Sequence, residues 1–411
     1  MSAPPAQGSL SHVKVLDLSR VLAGPWAGQL LGDYGAEVIK VERPGTGDDT
    51  RIWGPPWTPD ADGAPTANAA YFLCTNRNKR SVTIDFTRPE GQALIHRLAA
   101  QSDVLIENFK VGGLAAYGLD WDSMHARHPR LIYCSITGFG QTGPYAPRAG
   151  YDFLMQGMGG LMSITGRPDG EPGAGPQKVG VALTDVLTGL YATTGILAAL
   201  AHRERTGEGQ RIDIALLDVQ VAAMANQTIN YLTTGESPGR MGNAHPSVVP
   251  YQDFPTADGA MIIACGNDEQ FARLARLTGH PDWAEDDRFR TNRGRVNHRD
   301  SLIPLLQAAT RTRTTADWVA AMEGAGVPCG PINTLKDVFA DPQVQARGTR
   351  ITMPHGDGAE VALVANPVKL SATPPTYRRP PPLLGADTDA VLGELGLDAA
   401  EIEAMRTSGL L

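Results

Sequence analysis

Short apolar runs alternate with helical patterns over the first 140 or so residues, and that alternation sets the expected fold. Val13 to Leu18 reads as a strand, Pro25 to Tyr34 as a helix and Glu37 to Val41 as a second strand, which together make a βαβ opening. Ser81 to Phe86, a helix from Pro89 to Gln101, Val104 to Asn108 and Leu131 to Thr137 continue the rhythm. The expectation is an α/β fold: a mainly parallel sheet covered by helices on both faces. Ligands on such sheets gather beyond the strand carboxyl ends, so the loops Arg20 to Pro25, Glu42 to Arg51 and Asn108 to Gly113 are the ones to watch.

A long apolar helix is expected from Val186 to Leu200, ending in basic residues and at Gly207. Asp185 falls in its first turn. One reading is a helix cap. The other is a nucleophile that the helix dipole keeps ionised near neutral pH. Composition changes after Asn226, where Tyr231 to Pro250 is rich in Gly, Pro, Ser and Asn, and a smaller unit begins. It is expected to hold a strand at Met261 to Ala264, helices near Gln270 to Leu277 and Thr315 to Met322, and an Arg/Asn/Asp-rich surface segment from Asp286 to Asp300. The tail returns to strand and loop, then Arg378 to Gly385 forms a stiff linker before a short final helix.

A length of 411 residues exceeds one ordinary core. The net charge of -8 supplies no basic field for nucleic acid, so an anionic ligand must be held by local cations. Cys74, Cys134, Cys265 and Cys329 are scattered without a CxxC pair, which fits reduced thiols in the cytoplasm and no metal site. The N-terminus lacks a secretory pattern, and the longest apolar stretch reads as shorter and more polar than a bilayer span, so no membrane partner is expected.

Several local signals have two readings. Gly138-Phe139-Gly140-Gln141-Thr142-Gly143 matches a dinucleotide fingerprint, but Pro144 and Pro147 occupy the place of the phosphate-binding helix. A glycine turn allowing close backbone approach is the alternative. Arg77, Lys79 and Arg80, with Arg20, Lys40, Arg43 and Lys110 at strand ends, are either solvated or converge on a phosphate. His245 is a general base or a structural loop histidine, and Asp152 a catalytic or a turn carboxylate.

With these residues in view, the chain resembles class III CoA-transferases, the formyl-CoA transferase or CaiB/BaiF family. The matching segments run in order from Val15 to Pro25, Gly35 to Pro44, Asn76 to Ser81, Glu107 to Phe109 and Gly138 to Pro144, and on to Asp185. The resemblance implies a Rossmann-like large domain from residues 1–225 and 335–411, a small central α+β domain from 226–334, and a homodimer of interlocked rings. It implies that Asp185 is the nucleophile and that coenzyme A or acyl-CoA is a substrate, with no permanently bound cofactor. CoA contacts carry over to Arg20, Val21, Ala23, Arg43, Ile84, Asp85, Phe86, Asn108, Phe109, Gly138 and Phe139, with Arg43 as phosphate clamp.

Where formyl-CoA transferase has a glutamine and a further arginine, this chain carries Leu22 and Ala116, and the tetraglycine flap is reduced to Cys265-Gly266-Asn267-Asp268. The segments Pro44 to Arg51, Ala244 to Gln252, Gly330 to Asn333 and Pro381 to Gly385 are instead similar to the succinate–hydroxymethylglutarate (glutarate) CoA-transferase branch. That implies a succinyl-CoA-like donor and a dicarboxylate acceptor, for which Arg51, His245, Gly266 and Asn267 are the candidate contacts. α-Methylacyl-CoA racemases share the fold but pair an aspartate with a histidine preceding an aspartate. Tyr151 takes that histidine's place here, and a phenol is a poor base near neutrality.

Overall fold

The computed structural model describes residues 8–60, 62, 64–355 and 360–411. The chain divides into two compact units, residues 1–161, 179–236 and 345–411 forming one and 162–178 and 237–344 the other.

Six parallel strands run through the larger unit: β1 (Lys14–Asp17), β2 (Glu37–Glu42), β3 (Lys79–Thr83), β4 (Val104–Glu107), β5 (Ile132–Thr137) and β6 (Arg211–Ala215). Their order is β3-β2-β1-β4-β5-β6, so the winding reverses between β1 and β4. The central strands β4 and β5 are buried on both faces, which is why they read as apolar runs rather than as alternation. On one face, helix α1 (Ala23–Asp33) and a 24-residue helix pack Ala27, Leu31, Ala192, Ile196 and Leu200 against Val15, Ile106 and Ile136. On the other, helix Pro89–Ala99 and two C-terminal helices, Thr388–Glu394 and Ala399–Thr407, cover Leu16, Ile39 and Tyr133.

Helix α2 (Asp152–Met158) precedes the long helix in the chain, and the long helix is α3 (Leu183–Thr206). Its length and composition would suffice to cross a membrane, contrary to the sequence expectation. One face of it is nevertheless built into the domain core through Thr188, Ala192, Ile196 and Leu200. α1 and α3 meet at Gly189, where a Cβ would come within 2.8 Å of the Ala23 carbonyl oxygen and 2.9 Å of Trp26. Gly207, left-handed at φ 82°, ends α3 as expected.

The second unit carries an antiparallel sheet of Tyr251–Pro255, Ala260–Ala264 and Cys329–Pro331, with helices around Phe254, Ile263, Phe271, Leu302 and Trp318. The segment expected to be polar surface, Asp286 to Asp300, is largely exposed, and helix Asn292–Asn297 runs through it. Arg295 is a buried exception. Its guanidinium is fully buried, donating to the carbonyls of Val249 and Phe289 and pairing with Asp268.

At the carboxyl end of β1 and β2, charged side chains are buried in pairs. Lys79 meets Asp17 at 2.9 Å and Lys40 meets Asp48 at 2.9 Å, all four fully buried. Arg51 grips Glu42 through two bonds of 2.8 and 2.7 Å. Replacing one partner leaves the other charge buried and uncompensated. Lys40→Met should therefore cost about 3–5 kcal/mol, read as a lower urea midpoint at unchanged slope. A wild-type midpoint would show that Asp48 is relieved by some other group.

Candidate active site

The reversal of strand order leaves a crevice between the loops that follow β1 and β4. Asn108 ties those loops together: its Oδ1 accepts from the Arg20 amide at 2.9 Å and its Nδ2 donates to the Arg20 carbonyl at 2.7 Å. Val21 sits next to this clamp with φ at +72°, a left-handed conformation that a β-branched residue rarely adopts. Two groups hold it there. The Asp48 carboxylate accepts from the Val21 amide at 3.2 Å, and Lys40 donates to the carbonyl of Ser19 at 2.8 Å. Burial pulls the Asp48 carboxyl upward, but Lys40 and the Thr50 bonds outweigh it and bring it down to about 2. It thus remains a charged acceptor over the whole working range of pH.

Two adjoining cavities open at this end of the sheet, sharing Arg20 and Phe109. The first is lined by Val21, Leu22 and Ala23, by Asn108, by Gly138, by Arg148 to Tyr151 and by Asp185. The second is lined by Arg43 and by Ile84, Asp85 and Phe86. Most residues named from the sequence as CoA contacts thus meet along one continuous wall. Phe139 does not line either cavity; it is buried beneath Arg148 and Tyr145. The glycine-rich stretch acts as a close-approach turn. A Cβ on Gly138 would lie 2.7 Å from the Cα of Gly150.

Asp185 is in the first turn of α3, as expected, but it is not the cap. Asp152, the first residue of α2, fills that role, its Oδ1 accepting from the amides of Thr184 at 2.8 Å and Asp185 at 3.3 Å. Its Oδ2 accepts from Gln156 at 2.6 Å. With those amides turned to Asp152, the Asp185 carboxylate has no hydrogen-bond donor or cation partner among the described residues. Burial, followed by the charge of Asp152, pushes its carboxyl from 3.8 up to about 7. This corrects the expectation that the helix dipole keeps it fully ionised at neutrality. Asp185 also contributes, after burial, to the rise of the nearby Tyr71 phenol to about 12.

Arg51 is corrected too. Its guanidinium is buried, held by Glu42, bonded to the Pro382 carbonyl and stacked 3.7 Å over Phe72, so it serves the framework. His245, Gly266 and Asn267 belong to the second unit. There His245 Nδ1 accepts from the Ser247 amide, the Gly266 amide donates to Gln270, and Asn267 caps helix Asp268–Leu277. Sequence reasoning missed Arg148 and the framework part of Asp48. No periodic pattern marks either; only the acidic pair Asp48-Asp49 before Arg51 hinted at a structured loop.

A carboxylate in the first turn of a helix, facing a cavity lined by Arg20, Lys110 and Arg148 where the strand order reverses, has the parts that a group-transfer site for an anionic substrate needs. The chain belongs to CoA-transferase family III, which it matches over residues 10–388. It is 53% identical over 392 residues to the succinate–glutarate CoA-transferase of Agrobacterium fabrum, covering 95% of this chain and 97% of that one. It is 44% identical to the mouse succinyl-CoA:glutarate CoA-transferase, covering 98% and 90%. Among solved structures, a CaiB/BaiF family protein from Brucella suis superposes with a TM-score of 0.83 at 51% identity, over 95% of this chain and all of that one.

Because folded Asp185 titrates above its ordinary value of 3.8, it binds a proton that the unfolded chain has released in between. Its contribution to stability is full below the lower value and is lost as pH rises through the higher. Asp185→Asn removes that loss, so its stability relative to wild type should grow as pH is raised from about 5 to about 8, measured by urea denaturation. A pH-independent difference would place the carboxyl in water.

Proposed function

We propose that the chain moves coenzyme A from succinyl-CoA, or a similar short acyl-CoA, to a dicarboxylic acid through covalent intermediates on Asp185. The observation that carries this reading is the half-buried Asp185 carboxylate, without a hydrogen-bond donor among the described residues, in the wall of the first cavity. The substrates named for the similar Agrobacterium and mouse enzymes support it. In the first step an Asp185 oxygen attacks the thioester carbonyl and the C–S bond breaks. A mixed anhydride forms and CoA leaves as thiolate. The thiolate then attacks the Asp185 carbonyl, releasing the donor acid and leaving an aspartyl-CoA thioester. The acceptor carboxylate attacks that thioester, the thiolate leaves again, and its return to the acceptor carbonyl yields the new acyl-CoA and free Asp185. No net proton is consumed.

The raised titration of Asp185 fits a nucleophile, because a carboxylate stripped of donors is more reactive than a solvated one. Each intermediate is prone to hydrolysis, so a position partly shielded from water serves it as well. CoA would lie along the second cavity, with Arg43 and Arg20 toward its phosphates, since a guanidinium matches phosphate oxygens. Proton transfer by a racemase mechanism is disfavoured: Tyr151 stands where the base would be, and the similar proteins are CoA-transferases.

The proposal includes a homodimer, interlocked as in the family. Supporting it, α3 exposes Leu190, Tyr191 and Leu197, and helix Ala225–Thr234 exposes Ile229, Tyr231 and Leu232, large apolar side chains of the kind an interface buries. Four free cysteines fit a reducing, cytoplasmic setting. Light scattering on the purified chain should give twice the monomer mass. A monomer would leave the apolar surface without an explanation of this kind.

The covalent step is tested by mixing the protein with succinyl-CoA, trapping with hydroxylamine or borohydride and mapping the modified peptide by mass spectrometry. Modification at Asp185, lost in Asp185→Ala together with transfer activity, is the expected result. Full transfer by Asp185→Ala, or solvent deuterium entering the α-carbon of a 2-methylacyl-CoA, would overturn it.

A further inference from the structure

Three cationic side chains line the cavity that holds Asp185: Arg20, Lys110 and Arg148. Their surroundings separate them. Arg20 is paired with Asp49 at 3.1 Å and leans over Phe109, at the junction with the second cavity. Lys110 also faces a small side cavity that it shares with the carboxylates of Glu107 and Asp120. Arg148, an exposed side chain, faces the Asp185 cavity and has no carboxylate partner among the described residues. Its guanidinium lies 4.9 Å from the centre of the Phe139 ring and 4.5 Å from that of Tyr145, and those rings meet edge to face.

A guanidinium packed on two aromatic faces is held in place without having its charge neutralised, and it keeps N–H edges for a planar anion. We infer that Arg148 is the specificity-determining cation of the acyl site, binding the distal carboxylate of the dicarboxylic acid whose other end reacts at Asp185. The inference rests on the proposed transfer reaction and deepens it. One further observation supports it. The pass between Gly138 and Gly150 fixes the backbone carrying Arg148 against the end of β5, next to Phe139. Since donor and acceptor acids occupy the same acyl site in turn, one arginine would serve both succinyl and acceptor groups.

The test is a competition. The full-length enzyme, with succinyl-CoA as donor, is given glutarate and pentanoate together, and glutaryl-CoA and pentanoyl-CoA are measured by mass spectrometry. Their ratio reports the ratio of acceptor kcat/KM values, and the donor half-reaction cancels. Wild type should favour glutarate. Arg148→Met should lower that preference roughly ten- to hundredfold, the worth of a charge-assisted hydrogen bond to a carboxylate. Arg148→Lys, which keeps the charge but loses the fork, should fall between the two and serves if the methionine variant makes no product. Preference unchanged in both variants, with both products falling by one common factor, would overturn the role of Arg148 while leaving the dicarboxylate reading intact. A wild-type enzyme that does not prefer glutarate to pentanoate would overturn that reading, and this inference with it.

Discussion

The buried charge lattice beneath the carboxyl end of the sheet is the constraint on which the site depends. Asp17, Lys79, Lys40, Asp48, Glu42 and Arg51 neutralise one another in pairs and spend their remaining donors on backbone: Lys79 on the Pro25 carbonyl, Lys40 on that of Ser19, Arg51 on that of Pro382. Each contact fixes a loop end. Such lattices are weak contributors to net stability, because desolvation offsets most of the attraction. What this one supplies is position. Val21 at φ +72° is strained, and a strained residue persists only where its surroundings over-determine it. Asp48 and Lys40 do so from one side and Asn108 from the other.

Two carboxylates at the start of α3 divide the work that one was expected to do. Asp152 takes the amides of the first turn and the side chain of Gln156, so its charge is solvated by donors. Asp185 is left with burial and with the field of Asp152. The same geometry therefore stabilises the helix and destabilises its neighbour's charge. A nucleophile needs such treatment, whereas a cap does not.

Much of the fold was legible because the central strands are buried on both faces: Val13 to Leu18 and Leu131 to Thr137 cannot be read as anything but core. β6 and the helices after it were not recognised, since Arg211–Ala215 is short and polar at its exposed end. The place of Asp185 in a first turn was readable from the apolar run that follows it. Its titration was not, because that depends on Asp152, far away in sequence, reaching the amides first. Arg51 misled for the same reason: a loop arginine looks free until its partner on a neighbouring strand, Glu42, is seen. Arg148 gave no signal at all, as its significance lies in two rings and a missing carboxylate.

The proposed reaction accounts for a nucleophile carried on a long helix rather than on a loop. In the proposed cycle the CoA thiolate leaves a carbonyl and returns to the neighbouring one twice, so the distance between the pantetheine end and Asp185 must hold while bonds change. Effective molarity falls steeply when such groups drift. α1 begins with Ala23 at the cavity wall, α3 begins beside Asp185, and Gly189 lets the two helices close to backbone contact. A side chain larger than hydrogen at that point would push the Ala23 loop and Asp185 apart. The glycine therefore sets the spacing of the two halves of the site, and the sheet, through Asp17 of β1 and the buried lysines Lys40 of β2 and Lys79 of β3, anchors the pair.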